Sequence, residues 1–279
     1  DEDGNALSFG RTFVAATSSG SIEVECGPVD LLPYADAHIV VFERLYDVSS
    51  GERLAVEHAD ANDSAQTVHV LAPEIDTTAM RAHDGAGSVA VDPAASLIDV
   101  VAYTNLVPGV AYEAEATLMV KDGEGSATAL LDPKGNPYRF CESFTPEQPQ
   151  GEIEVTLSDV DTLDLAGAQL VVFEKVYRLS GDNNEDRTLV AEHADADCAA
   201  QTLTVMQPSL ATSVSDASDG DRAVVGDAAS RIVDAVEFAG LNPQRPYRVE
   251  GVIVDASAYI EARNAAQDHA TAVEAAAVR

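Results

Sequence analysis

Two short segments of this sequence carry the same polar residues at the same spacing. Residues 57–67 read EHADANDSAQT, and residues 192–202 read EHADADCAAQT. Histidine is the side chain that transfers protons near neutral pH, and a carboxamide both donates and accepts hydrogen bonds. Because the histidine and the glutamine return together at one fixed spacing, we interpret the pair as part of a chemical site.

The segments around both copies place further polar residues on apolar strand faces. Strand side chains alternate between the two faces, so the neighbours two positions away show where a polar residue points. By this rule a threonine, a glutamate, a histidine and a glutamine point inward in each copy: Thr77, Glu174, His193 and Gln201 in one, and Glu43, His58, Gln66 and Thr212 in the other. Buried polar groups without partners cost roughly 1–3 kcal/mol each, so we expect these side chains to meet. A satisfied hydrogen-bond cluster, or frayed strand ends that leave some of them in water, would explain the pattern equally well.

The segments that must position these residues are predicted to be strands. They are short, rich in Val, Ile, Tyr and Thr, alternate with a period of two, and end at Gly, Pro and Asp turns. Roughly seven to nine such strands in each repeat predict an all-β fold of immunoglobulin-like β-sandwiches in tandem. The alanine-rich residues 256–279 predict a short C-terminal helix.

Internal repetition predicts the domain organisation. Beyond each histidine the two copies keep an offset of 135 residues, from His58 and His193 to Tyr112 and Tyr247. The predicted organisation is a C-terminal half of a repeat at 1–70, a complete repeat at 71–206, the N-terminal half of the next repeat at 207–255, and an alanine-rich tail at 256–279. The joints LAPEID and MQPSLA are only a few residues long, which predicts stiff coupling between neighbouring repeats.

Composition narrows the function classes. The 279 residues contain 48 acidic and 16 basic side chains, and the formal net charge of −32 largely excludes nucleic acid and anionic membrane as partners. Cys26, Cys141 and Cys198 show neither a disulfide framework nor zinc spacing, and we expect no metal and no cofactor. The sequence has no apolar run that predicts membrane insertion. It begins DEDGN, without a signal peptide, so we expect a piece of a longer protein.

The sequence resembles the VaFE repeat, the T-Q ester-bond domain of Gram-positive surface adhesins and pilus-like stalks. The resemblance covers nearly all residues up to 255. It rests on PEIDTTA from Pro73, IDVVAYTNLVPGVAYEAEATLM from Ile98, VVFE from Val40 and Val171, and both EHAD segments. In that family a threonine on the first strand and a glutamine on the last strand join as an intramolecular ester and release ammonia. A glutamate, a histidine and an aspartate assist.

The resemblance implies a role for each residue of the pattern. In the complete repeat Thr77 is the nucleophile and Gln201 the acyl donor of the cross-link. Glu174, in apolar surroundings, should stay protonated and stabilise the oxyanion, and His193 should carry the hydroxyl proton to the departing ammonia. The flanking halves hold half-sites: Glu43, His58, Asp63 and Gln66 lack a threonine, and Thr212 lacks a glutamine.

The complete repeat departs from the family pattern at one position. Asp63 stands five residues beyond His58, as the pattern requires, but the corresponding residue beyond His193 is Cys198. Loss of the aspartate that orients a catalytic histidine can slow a reaction by about 10⁴-fold. We expect Asp197, one residue earlier, to take over this role and to complete the catalytic set with Glu174 and His193.

The resemblance implies a structural stalk module of a bacterial adhesin, extracellular and anchored to the cell wall, whose partners are neighbouring repeats of the same polypeptide. The ester would form once per molecule, which is self-modification and not an enzyme activity. The main alternative is a ligand-binding adhesin β-sandwich without a covalent cross-link. A Lys–Asn isopeptide module is disfavoured because only Lys121, Lys134 and Lys175 are present. A Ser-His-Asp hydrolase lacks its nucleophile-elbow motif.

Overall fold

The computed structural model describes residues 7–181, 183–243, 245–265 and 268–278. By compactness the chain divides into a unit at Asp1–Leu241 and a unit at Asn242–Arg279. Strands dominate the first unit. Within the described part of the chain, no helix has the length and apolarity that a membrane crossing requires.

Four strands are described in residues 38–69: β1 (His38–Val40), β2 (Glu43–Asp47), β3 (Arg53–His58) and β4 (Thr67–His69). β1 pairs with β4, and β2 pairs with β3, both antiparallel. The turn between β2 and β3 is closed by Gly51, whose φ of 79° is a left-handed conformation that glycine adopts without steric cost.

The central part contains ten strands among the described residues: β5 (Glu74–Arg81), β6 (Ser88–Val89), β7 (Ala95–Thr104), β8 (Tyr112–Lys121), β9 (Ala127–Ala129), β10 (Arg139–Phe144), β11 (Gly151–Val160), β12 (Gln169–Ser180), β13 (Asp186–His193) and β14 (Thr202–Val205). One sheet has the order β10-β8-β12-β14-β6, with β13 also on β12 and β9 also on β8. The other sheet has the order β11-β7-β5. The first and last strands, β5 and β14, therefore lie in different sheets.

The core of this sandwich is built from apolar side chains that alternate along their strands. β7 buries Leu97 and Val101, and β8 buries Leu118, while the residues directly next to each of them along the strand are more exposed. These side chains share one continuous core with Leu157 of β11 and Val172 of β12. Each fully buried Leu or Val stabilises the fold by roughly 1.5–3 kcal/mol, so the packing of the two sheets fixes the positions of the polar residues between them.

Beyond the central part, β15 (Ser209–Asp216) pairs antiparallel with β16 (Ile232–Ala239). The second unit contains α1 (Ala256–Asn264) and α2 (His269–Ala276). Each helix begins with an aspartate cap: Asp255 accepts from the backbone N–H of Ala258, and Asp268 accepts from that of Thr271. The helical prediction for the alanine-rich tail is confirmed.

The predicted all-β, β-sandwich class is confirmed. The tandem arrangement and the boundaries 1–70, 71–206, 207–255 and 256–279 stay predictions. Cys26, Cys141 and Cys198 are free cysteines in the structure.

Candidate functional site

Thr77 faces the interior from the middle of β5. It lies opposite Val101 of β7, and its side chain is 1% exposed because alternation turns it toward the core. Two residues on, the backbone N–H of Ala79 donates to the carbonyl of Ala200 at 2.9 Å. This bond holds the first strand against the residue that precedes Gln201, and so brings the two ends of the sandwich fold together.

Gln201 lies next to Thr77 and is completely buried, with 0% exposure. Its Nε2 donates to Thr77 Oγ1 at 2.6 Å and to the backbone carbonyl of His193 at 3.1 Å. Its carbonyl oxygen, Oε1, is buried and has no hydrogen-bond partner among the described residues. The carboxamide is therefore held by its nitrogen, while the oxygen that would carry negative charge during an attack is left for another donor.

His193 completes a chain of three polar groups. It ends β13, and its Nδ1 lies 3.3 Å from Thr77 Oγ1. In the β12–β13 pair it stands opposite Glu174. A hydroxyl in contact with both an imidazole nitrogen and a carboxamide is arranged as a nucleophile between its base and its target.

Glu174 and Asp99 form a pair of fully buried carboxyl groups beneath this chain. The carboxyl oxygens of both side chains are buried and have no hydrogen-bond partner among the described residues. Burial, together with the neighbouring Asp99 carboxyl, raises the pKa of Glu174 to about 10. Burial also raises the pKa of Asp99, to about 7, although the adjacent Glu174 carboxyl acts to lower it. The pair holds at least one proton at neutral pH.

Asp99 was not among the residues singled out from the sequence. It stands between Leu97 and Val101 in the strand β7, so the alternation that identified Thr77 would also have identified Asp99 as an inward-facing carboxyl.

The prediction that Asp197 supports His193 does not agree with the structure. The Asp197 side chain is 89% exposed and lies 3.5 Å from Lys121 Nζ. The reason is local: the backbone N–H of Asp197 donates to the side chain of Asp195, in a turn that directs Asp197 to solvent. The carboxylate beside His193 is instead Asp76, whose Oδ1 lies 3.7 Å from His193 Nδ1.

Cys198 occupies the backbone position that Asp63 holds in the first copy. The carbonyl of Cys198 accepts from Thr202 Oγ1 at 2.8 Å, just as the carbonyl of Asp63 accepts from Thr67 Oγ1 at 2.9 Å. The Cys198 thiol is half-buried. The two turns thus have the same form, and the difference between them is confined to the side chain.

The N-terminal half-site gathers four of its predicted residues. Gln66 Nε2 contacts Glu43 Oε2 at 2.8 Å, the Val41 carbonyl at 2.9 Å and the His58 carbonyl at 3.1 Å. His58 Nε2 lies 3.2 Å from Asp63 Oδ2. Glu43 pairs with His58 across β2 and β3 in the same register as Glu174 with His193.

Thr212, the counterpart of Thr77, lies on β15 opposite Val236 and is exposed. No cluster of His, Cys, Asp or Glu with the arrangement of a metal site occurs in the described parts of the chain.

Comparison with known proteins gives one family. The model of the T-Q ester bond containing domain matches residues 1–70, 73–205 and 208–278. Two solved structures with similarity to this chain are crystal forms of a bacterial adhesin from Mobiluncus mulieris containing intramolecular disulfide, isopeptide and ester bond cross-links. They have identities of 14% and 16%, each has a TM-score of 0.35, and each match covers 60% of this chain and 76% of that chain. No curated protein sequence matches. Since the family model covers nearly every residue, the chain belongs to the T-Q ester bond containing domain family.

Proposed function

We propose that this chain is a stalk module of a bacterial cell-surface adhesin, and that an autocatalytic ester between Thr77 and Gln201 braces its central sandwich. The observation that carries the proposal is the buried contact of 2.6 Å between the Thr77 hydroxyl and the Gln201 carboxamide. Two side chains held in contact by a folded core react with effective molarities of about 10⁵–10⁸ M.

The reaction uses groups that the fold has already placed. His193 Nδ1 takes the Thr77 hydroxyl proton, and the Thr77 oxygen adds to the side-chain carbonyl carbon of Gln201. The carbon–nitrogen bond then breaks, and the amide nitrogen leaves as ammonia with the proton that His193 carried. One threonine hydroxyl and one glutamine carboxamide give one ester and one ammonia.

Glu174 supplies the hydrogen bond that the attack requires. In the first copy the corresponding Glu43 lies beside the carboxamide, where its Oε2 accepts from Gln66 Nε2 at 2.8 Å. Glu174 keeps its proton at neutral pH because burial and Asp99 raise its pKa. A neutral acid can donate to Gln201 Oε1, which otherwise has no partner among the described residues, and can stabilise the developing oxyanion. The bond forms once, so the chain modifies itself and turns over no substrate.

The position of the bond gives it a mechanical role. Tension that enters through β5 reaches Thr77 and passes through the ester to Gln201 and β14. The force then does not pass along the chain between the two side chains, which are 124 positions apart in sequence, so the strands between them carry little of it. The joints from Gln66 to Thr77 and from Gln201 to Thr212 span only eleven residues each, which limits extension between cross-links.

A surface location follows from the same proposal. Adhesins act outside the cell, where a formal net charge of −32 keeps a chain soluble. We propose that the module belongs to an extracellular protein anchored to the cell wall and is continuous with neighbouring repeats.

Intact mass measurement of the purified chain tests the cross-link. The wild-type chain is expected to be lighter than its sequence by the ammonia of the central bond, and Thr77→Val to keep that ammonia. Thr78→Val is the matched control, because Thr78 is the exposed neighbour on β5 and its replacement should leave the mass loss unchanged. Peptide mapping should find the fragments of Thr77 and Gln201 joined. A wild-type chain of unmodified mass would refute the proposal.

The second candidate is a ligand-binding β-sandwich in which these residues form only a buried hydrogen-bond cluster. The cysteine at position 198 favours it, because the central His193 lacks the carboxylate that His58 has in Asp63. The mass measurement separates the two candidates, since a hydrogen-bonded cluster releases no ammonia.

A further inference from the structure

Two histidines that take no part in the proposed ester chemistry lie side by side on β1 and β4. His38 of β1 stands opposite His69 of β4 in the strand register. Their imidazole rings are stacked, with centroids 4.6 Å apart and an angle of 13° between the ring planes. Both residues are exposed, so the pair is open to solvent.

The backbone hydrogen bonds around this pair hold the two side chains as close as strand pairing allows. The N–H of Val70 donates to the carbonyl of Ala37 at 2.9 Å, and the N–H of Val41 donates to the carbonyl of Gln66 at 3.0 Å. Hydrogen-bonded and non-hydrogen-bonded pairs alternate along an antiparallel ladder, so the histidine pair, which follows the pair of Ala37 and Val70, is non-hydrogen-bonded. In such a pair the Cα atoms are about 4.5 Å apart and the side chains are closest.

The central sandwich shows that a complete repeat leaves this position exposed. The counterparts of the two histidines are Gln169 of β12 and Thr204 of β14, which pair in the same register. Both counterparts are exposed, although the adjacent Leu170 and Leu203 are fully buried. The exposure of the histidine pair is therefore a property of this face of the sheet and does not depend on strands that would cover the opposite face.

We propose that His38 and His69 form a two-histidine site for a divalent ion of the late first-row transition metals, with Cu²⁺ bound more tightly than Zn²⁺ or Ni²⁺. Imidazole nitrogen is a preferred ligand of these ions, whereas Ca²⁺ and Mg²⁺ prefer oxygen. Two neighbouring nitrogens at about 2.0–2.1 Å from a metal lie about 3 Å from each other. Because the rings are exposed, they can rotate about their Cβ–Cγ bonds and turn one nitrogen of each toward a common ion.

The site would hold an exchangeable ion and not a resident one. Resident structural metals use more than two protein ligands, and no group of three or more His, Cys, Asp or Glu that could hold a metal occurs in the parts of the chain that the structure describes. Water would fill the remaining coordination positions of an ion on the histidine pair. The formal net charge of −32 raises the concentration of cations near the protein surface and so favours binding.

A bound ion would hold β1 and β4 together. β4 begins directly after Gln66, the residue that corresponds to Gln201 of the proposed ester. The ion binds the paired strands more tightly than the unfolded chain, in which the two histidines are far apart, so it stabilises the pairing by mass action. The inference does not depend on the ester, because neither histidine takes part in that reaction.

Metal titration of the full chain by isothermal titration calorimetry tests the inference. The titrations use CuCl₂ or ZnCl₂ with excess Mg²⁺ to occupy surface carboxylates, and Cys26, Cys141 and Cys198 are replaced by serine so that no thiol competes. One site of highest affinity is expected, bound by one ion per chain. Mg²⁺ should not displace the transition metal, because it prefers oxygen ligands.

Single replacements of the histidines give the sharpest comparison. His38→Gln and His69→Thr introduce the residues of the central sandwich, and each should weaken the site by roughly 10²–10⁴-fold, because attachment at two points becomes attachment at one. His83→Gln is the matched control, since His83 is an exposed histidine elsewhere in the chain and its replacement should leave the affinity unchanged. Circular dichroism checks that each variant keeps the fold.

Electron paramagnetic resonance of the Cu²⁺-loaded chain identifies the ligands. Coupling to two imidazole nitrogens is expected with both histidines present, and coupling to one in either variant. Gln169→His combined with Thr204→His, in the His38→Gln background, should restore a site with two nitrogens, because the register and the exposure are the same in both places.

Three results would overturn the inference. The first is equal affinity with and without His38. The second is coupling to a single imidazole nitrogen when both histidines are present. The third is a chain that dimerises in size-exclusion chromatography when metal is added, because the ion would then bind between copies and not between β1 and β4. None of these measurements depends on the mass change that tests the ester.

Discussion

Replacing Thr77 by valine removes the hydroxyl of the proposed ester and keeps nearly the same shape in the core. The proposed cross-link would close a loop of 124 residues between Thr77 and Gln201. Treated by the chain-entropy relation used for disulfides, closure of a loop of this length stabilises the folded state by about 5 kcal/mol. The unsatisfied Gln201 carboxamide in the variant adds a further cost of about 1–3 kcal/mol.

These values predict a large thermal effect. For a domain of this size 1 kcal/mol corresponds to about 3–4 °C in Tm, so the loop-closure term alone predicts a Tm lower by about 15–20 °C in Thr77→Val. Thermal unfolding followed by circular dichroism measures it, with intact mass confirming the state of the bond in each sample. Thr77→Ser is the matched control, because it keeps a hydroxyl and should keep both the bond and most of the stability.

The reasoning would be refuted by a cross-linked wild-type chain whose Tm exceeds that of Thr77→Val by only a few degrees. That result would mean that the unfolded chain is already compact enough for the loop to cost little entropy, or that the ester strains the sandwich. Urea unfolding distinguishes these two causes, since residual structure in the unfolded variant lowers its m-value.

Three further predictions concern the groups around the bond. In Thr77→Val the free energy of unfolding should fall as pH rises from about 4.5 toward 10, because folded Glu174 and Asp99 retain protons that the unfolded chain releases; each retained proton contributes up to about 1.4 kcal/mol per pH unit, Asp99 up to pH about 7 and Glu174 toward pH 10. Glu174→Gln in the same background should reduce that slope in urea titrations, and an unchanged slope would contradict the assignment. Cys198→Asp should accelerate ammonia loss during refolding, by up to about 10⁴-fold if the new carboxylate orients His193 as Asp63 does His58. Cys198→Ala is its control, and equal rates in both variants would mean that a carboxylate at position 198 does not assist His193. Asp76→Asn should slow the same reaction several-fold, because Asp76 lies beside His193 Nδ1, whereas Asp197→Asn should not change the rate. Time-resolved mass spectrometry compares the two variants, and a larger effect of Asp197→Asn would identify Asp197 as the carboxylate that supports His193.

Alternation along strands accounts for how much of the site the sequence could predict. Thr77 and Glu174 lie inside regular strands, where neighbours two positions away report the side-chain direction, and both are buried. Asp99 obeys the same rule on β7 and could have been predicted. Asp197 could not, because it lies in a turn whose direction is set by a hydrogen bond from its own N–H to Asp195. The period of two has no meaning there, and residue spacing alone indicated the wrong carboxylate.

The fold of the flanking segments shows a second limit of sequence reasoning. Gln66 and Gln201 have the same neighbours in sequence and the same hydrogen bond to a histidine carbonyl, at 3.1 Å in both. Burial of the strands around them differs because it depends on whether a covering sheet is present. Sequence pattern predicts which face of a strand is apolar, but the partner that covers that face is a property of the assembled sandwich.

The exposure of the central site bears on how one place could both form the proposed ester and preserve it. The two atoms that would be joined lie on residues with 1% and 0% exposure, so water has little access to the ester carbonyl once ammonia has left. The His193 side chain, in contrast, is 21% exposed and lies between Thr77 and the surface carboxylate of Asp76. A proton can therefore be exchanged with solvent through His193. Hydrolysis would need water to enter the core beside His193 and then to displace a threonine oxygen that the core holds in place. The contact between Thr77 and Gln201 is buried, whereas His193 is partly exposed. This difference favours ester formation over ester hydrolysis.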